Sequence, residues 1–240
     1  MEPRFDQLAS SYEQLLRDPI RDRFSGRESL FFHTRKRDLI HRFFQRRRMA
    51  TAGLRYLDVG CGRGELLDLL RLDFGYVAGC DVSADMMHEI SGIETRVQRD
   101  PAAIPFSDAN FDFVTAVCVY HHVPPNARAA LTAEIVRVVR PGGIFCMIEH
   151  NPLNPITRLI VSRTPIDADA VLLRAKEAEA RVAAAGLRRI RLEYFLYFPQ
   201  VAYRYLGGLE SLLAGVPVGG QYALFGERKN PAATGPAKSH

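Results

Sequence analysis

The chain has 240 residues, 47% hydrophobic and 25% charged, an ordinary globular composition that excludes global disorder. Its net charge of +5 resides wholly in residues 1–50, which hold 12 basic and 7 acidic side chains, so the chain as a whole is no basic nucleic-acid coat. No window of about 18 uncharged apolar residues occurs, and the N-terminus shows acids and no apolar run, so neither a spanning helix nor a secretory signal is expected.

In chain order, Phe5, Leu8, Tyr12, Leu15 and Leu16 predict a helix over 5–17, stopped by Pro19. A second helix is expected over 35–48, with Leu39, Ile40, Phe43 and Phe44 on one face. Then the pattern changes. A strand at 54–59 runs into Gly60-Cys61-Gly62-Arg63-Gly64 and a helix at 65–72. A strand at 76–80 ends at Asp81. Ser83 or Asp85 can cap a helix reaching about Ile90. Strands are expected at 94–98, 111–119 and 144–148, with a helix at 127–139 before the last of them. The proline-bearing stretch 151–165 interrupts the alternation. A helix at 168–185, two late strands at 190–197 and 221–225, and a disordered tail from Asn230 complete the reading. Such alternation is the signature of an α/β fold, a mostly parallel sheet covered on both faces, whose ligands bind beyond the carboxyl ends of the strands. The cysteines, Cys61, Cys80, Cys118 and Cys146, lack metal-ligand spacing and read as reduced thiols of a cytoplasmic protein.

Strand, glycine turn and helix N-terminus form the geometry that holds a nucleotide-like ligand by its backbone. Asp81 ends the next strand, where a carboxylate can accept both hydrogens of a ribose diol. Two cofactor classes use this arrangement. A dinucleotide site, and with it an NAD(P)-dependent oxidoreductase, wants glycine at the first, third and sixth positions. Here those are Gly60, Gly62 and Glu65, and the Glu65 carboxylate would face a pyrophosphate. The pattern from Asp58 to Gly64 reads acid-x-Gly-x-Gly-x-Gly instead. A zwitterionic sulfonium ligand without phosphates tolerates a carboxylate at Asp58.

On Leu57-Asp58-Val59-Gly60-Cys61-Gly62-Arg63-Gly64 the sequence resembles the class I S-adenosylmethionine-dependent methyltransferases. Asp81 matches the ribose-binding acid, and Asp100, before Pro101, resembles the acid after strand three that meets the adenine amino group. Phe111-Asp112-Phe113-Val114 and Arg140-Pro141-Gly142-Gly143 resemble the fourth-strand motif and the turn before strand five. The resemblance covers about residues 54–149. It implies a Rossmann-like, seven-stranded, mostly parallel sheet with the last strand antiparallel, and S-adenosyl-L-methionine as cofactor. It places Tyr12, Asp58, Gly60, Cys61, Gly62, Gly64, Asp81, Val82, Met86, Asp100, Pro101 and Cys118 around that cofactor. Residues 1–50 would form a helical lid and 51–228 the methyltransferase domain, with insertions at about 151–167 and 199–216 shaping the acceptor site. A non-catalytic sensor or partner protein that binds the cofactor would carry the same cofactor residues, and only product formation separates the two.

The segment after strand four lacks the signatures of nucleic-acid amino, cytosine, arginine and metal-dependent catechol methyltransferases. A small or medium organic acceptor, lipid-like or of secondary metabolism, remains, with no nucleic-acid partner, no metal, and a monomer or homodimer. His121, His122 and His150 follow strand ends and are candidate bases. His33, Arg158, Tyr203 and Tyr205 are candidate acceptor residues, with 199–216 expected to form one or two short helices closing an apolar pocket beside His121 and His122.

Overall fold

The computed structural model describes residues 4–25, 29–100 and 102–230. Seven strands, β1 (Arg55–Val59), β2 (Tyr76–Asp81), β3 (Glu94–Val97), β4 (Phe111–Val117), β5 (Val139–His150), β6 (Leu187–Phe195) and β7 (Gln221–Arg228), form one sheet. Their order is β3-β2-β1-β4-β5-β7-β6, and β7 alone runs antiparallel to its neighbours. This is the Rossmann-like topology expected, last strand included.

Side chains alternate between the two faces. On one, Tyr56, Phe113, Cys146 and Phe225 meet α4 (Ser29–Arg46) and α5 (Glu65–Leu70). On the other, Leu57, Val114, Phe145 and Leu224 meet α6 (Arg128–Val138) and α8 (Ala175–Ala184). The Leu39, Ile40, Phe43, Phe44 stripe of α4 is buried as its spacing implies, and Phe43 stacks on Phe225 at 3.9 Å between ring centroids.

Several boundaries differ from the sequence reading. The helix expected over 5–17 is two, α1 (Arg4–Ala9) and α2 (Tyr12–Leu15), parted at Ser10-Ser11, residues that compete for backbone bonds and favour turns. Pro19 starts a helix rather than only stopping one. It opens α3 (Pro19–Ser25), where its missing N–H costs nothing, and Asp18 Oδ1 accepts from Ile20 N–H at 2.9 Å and Arg21 N–H at 3.1 Å. The stretch 83–90 is a series of turns, although Ser83 Oγ does accept from Met86 N–H at 3.1 Å. The helix expected from 168 begins only at Ala175. Val171 N–H donates to His121 O at 2.9 Å and Arg128 to Val171 O at 2.5 Å, bonds that hold this segment out of a helix. The tail from 231 onward lies outside the described residues. Among the described residues no helix is long and apolar enough to cross a membrane.

Residues 199–216 form a single helix, α9 (Gln200–Leu213), next to α4. Glu210, 3% exposed, pairs with Arg35, 2% exposed, and accepts Tyr197 N–H at 3.0 Å. The Arg35 guanidinium also lies 3.7 Å from the centroid of the Tyr203 ring.

Candidate active site

The strand order reverses between β1 and β4, so the loops after them part and leave a crevice at the carboxyl edge of the sheet. A cavity of about 770 Å³ opens there, within the range of small-molecule sites. The turn after β1 forms part of its wall. Gly60 (φ 71°) and Gly62 (φ 53°) hold left-handed backbone, and a Cβ on Gly60 would lie 2.4 Å from Val119. Asp81 is fixed at the same wall, with Gly62 N–H donating to Oδ2 at 2.8 Å and Ser83 N–H to Oδ1 at 2.9 Å. Burial raises its pKa and those donors oppose the rise. Asp58, also buried, accepts from Thr115 Oγ1 at 2.5 Å. Burial pushes its pKa up to about 7, against the Thr115 bond and the charge of Lys36.

Opposite lies the loop after β4. Cys118 takes φ 58°, a costly conformation for a residue with a side chain, held by its N–H to Ile148 O at 2.8 Å. Glu149, fully buried, accepts Tyr120 N–H at 2.7 Å and His121 Nδ1–H at 2.6 Å. Nε2 of His121 and of His122 each stand 3.5 Å from Asp167 Oδ1, and the His150 ring is 5.0 Å from that of His121. Burial disfavours charge on His121, but Glu149 and Asp167 outweigh it and lift its pKa to about 10. Burial, then the His121 charge, lower His122 and His150 to about 4. Of the three candidate bases, His121 is therefore protonated at neutral pH and the other two are neutral rings. The strand ends alone offer no cluster of carboxylates or histidines at ligand spacing; the fold adds Asp167, from the short turn 165–167 in the chain before α8, to the two histidines.

Of the residues expected around the cofactor, Tyr12, Asp58, Gly60, Cys61, Gly62, Asp81, Val82, Met86 and Cys118 line the cavity. Gly64 does not; it caps α5 from behind, at φ 80°. Asp100 is exposed, its Oδ1 accepting Ala102 N–H at 2.8 Å, and Gln98 instead takes the cavity position after β3. Pro101 lies outside the described residues. His33 lines the cavity, but Arg158 is exposed on α7 (Pro155–Arg163) and outside the lining. Tyr203 packs on Arg35 and Tyr205 is 73% exposed; neither reaches the cavity. The Arg35–Glu210 pair pins α9 against α4, so the expected pocket is closed by the segments flanking α9, through Leu196, Tyr197, Gly220 and Gln221.

One residue was undervalued in the sequence. Lys36, 5% exposed, lines the cavity one turn after His33, whose own Nδ1 is buried without a hydrogen-bond partner. Helical spacing from His33 was the available signal.

The donor set fits the cofactor that the resemblance implies. Asp81 suits a diol and Asp58 an ammonium, while Val82 and Met86 offer an apolar wall. Asp58, Glu65 and Asp81 around one turn would repel a pyrophosphate, which disfavours a dinucleotide.

Residues 57–147 match the family model described as a methyltransferase domain. The chain is 38% identical over 108 residues to a fatty-acid O-methyltransferase of Mycolicibacterium smegmatis, covering 42% of this chain and 38% of that protein. It is 29% identical over 166 residues to a 2-methyl-6-phytyl-1,4-hydroquinone methyltransferase of Synechocystis sp., covering 61% of this chain and 52% of that one. The chain thus spans about half the length, or less, of these two relatives. The fold matches a crystal structure of a SAM-dependent methyltransferase from Archaeoglobus fulgidus with a TM-score of 0.61, at 18% identity, over 84% of this chain and 100% of that one.

Proposed function

We propose that this chain, which belongs to the class I S-adenosylmethionine-dependent methyltransferases, methylates an acceptor that carries a large apolar portion and an acidic group. One observation carries the reading: the glycine cradle, the histidine loop, a buried lysine and an apolar wall all open into a single cavity. That wall includes Leu16, Phe24, Leu30, Phe32 and Ile160. The two relatives named above act, by their names, on a fatty acid and on a phytyl hydroquinone, both bearing apolar chains.

When bound, the cofactor supplies an electrophilic methyl on a sulfonium centre. Asp81 and Asp58 orient it, and the closed apolar surroundings exclude water from the reacting atoms. His150, held neutral by burial, takes a proton from the acceptor. The N-terminal helices act as the lid. Phe5 meets His122 edge-on at 5.1 Å, and Ser83 Oγ donates to Asp6 Oδ1 at 2.5 Å, so α1 ties the loops after β2 and β4 together. The second half of α4 packs on the sheet and goes with the methyltransferase domain, and the four unpaired cysteines support a cytoplasmic location.

The reading is tested by supplying methyl-labelled S-adenosylmethionine with long-chain acids and phenols and with their short-chain analogues. Label should enter organic-extractable product with the long chains. Equal transfer to short chains would overturn the apolar acceptor, and no product with any acceptor despite cofactor binding would favour the sensor reading. Lys36→Met should raise KM for an acidic acceptor by roughly tenfold or more, the worth of one charge-assisted hydrogen bond, and leave that for an uncharged acceptor unchanged.

Asp58 must be ionised to meet an ammonium. With its pKa pushed up to about 7, cofactor affinity should climb as pH rises through about 7, and Asp58→Asn should flatten that climb. The sign for the free protein is opposite. A carboxyl whose folded pKa is raised contributes stability at low pH that is lost as pH rises through about 7. Isothermal titration at several pH values, set beside thermal melts, reads both slopes.

A further inference from the structure

We propose that His121, His122 and Asp167 form a binding site for a first-row divalent transition-metal ion such as Zn²⁺. Their ligand atoms lie within 4.8 Å of one another, and both Nε2 atoms stand 3.5 Å from Asp167 Oδ1. That separation is too long for a good hydrogen bond. It is the spacing of donors set around a central ion at about 2.0–2.2 Å from each.

Three further features agree. The Nδ1–H of His121 donates to the buried Glu149 carboxylate at 2.6 Å, the outer contact that fixes the ring of a metal-binding histidine and turns its other nitrogen toward the ion. All three ligands line the cavity, so the ion would keep open coordination positions toward it. The carboxylates of Glu149 and Asp167 supply two negative charges, which a dication would balance in place of the proton that His121 carries without it. Two imidazoles and one carboxylate with open positions suit Zn²⁺, Fe²⁺ or Co²⁺ rather than the all-oxygen shells of Mg²⁺ and Ca²⁺.

The test uses the full chain, treated with chelator, dialysed and titrated with Co²⁺, whose visible bands report its ligands. One saturable equivalent is expected. His122→Ala and Asp167→Ala should each weaken binding at least about tenfold, and Glu149→Gln about 10- to 100-fold. His41→Ala, at a surface pair with Asp73, should leave it unchanged. Thermal melts identify any variant that fails to fold; His122 is 19% exposed, so its replacement leaves the core intact. The site is refuted if no saturable binding occurs, if folded His122→Ala binds Co²⁺ like the parent, or if a thiolate-to-cobalt band places the ion on a cysteine.

Discussion

Replacing Asp81 with alanine is expected to weaken binding of S-adenosylmethionine, and of its demethylated product, by about 1.5–3 kcal/mol, roughly tenfold to a hundredfold. Two losses coincide. The ribose hydroxyls lose a charged acceptor, and the N–H groups of Gly62 and Ser83 lose the carboxylate that fixes the glycine turn. Asp81→Asn separates them. An amide can still accept from one backbone N–H, so the turn persists while the charge is gone, and its affinity should fall between parent and alanine variant. Calorimetric titration measures both. Unchanged affinity in Asp81→Ala would show that the diol is held elsewhere, and tight NADH binding unaffected by S-adenosylmethionine would overturn the cofactor itself.

Glu210→Ala should cost about 3–5 kcal/mol of stability, because it strands the Arg35 guanidinium between α4 and α9. In a chain of this size that corresponds to a drop in Tm of about 6–20 °C. Asp38, 3.1 Å from Arg35 but 31% exposed, offers only partial compensation. The double variant Arg35→Met/Glu210→Leu should regain most of the loss, since two apolar groups need no partner. Cofactor affinity should stay near the parent value in every variant that folds, because α9 does not line the cavity. A melt of Glu210→Ala within about 2 °C of the parent would show that the pair contributes little.

The parts of this molecule legible in the sequence were those whose cause is local. The turn from Gly60 to Gly64 needs left-handed backbone, and glycine spacing reports that directly. The apolar stripe of α4 and the strand of Asp81 follow from periodicity. What escaped depends on distant partners. Asp167 has no motif around it, and only the fold sets it beside His121 and His122. Asp100 looked like an adenine ligand by its place after β3, but its carboxylate bonds the following turn and stays exposed. Tyr203 and Tyr205 looked like acceptor residues because aromatics crowd that stretch. A charged residue far away in the sequence, Arg35, decides where they go by holding Glu210. Ser83 is the converse case: it makes the bond of a helix cap, yet no helix follows.

The placement of β7 between β5 and β6 bears on how the chain is made. Until residues 221–228 have left the ribosome, β5 lacks its second neighbour and β6 has none. Until then β5, with Phe145, Met147 and Ile148, presents an open hydrogen-bonding edge and uncovered apolar faces, a template for pairing with another nascent chain. Closing the sheet then requires one strand to enter a gap and satisfy both sides at once, a non-local step that slows folding. Production of this protein should therefore be sensitive to growth temperature and chaperone supply in a way its finished stability does not reveal. Damage to β7 should appear as aggregation during synthesis before it appears as lost activity.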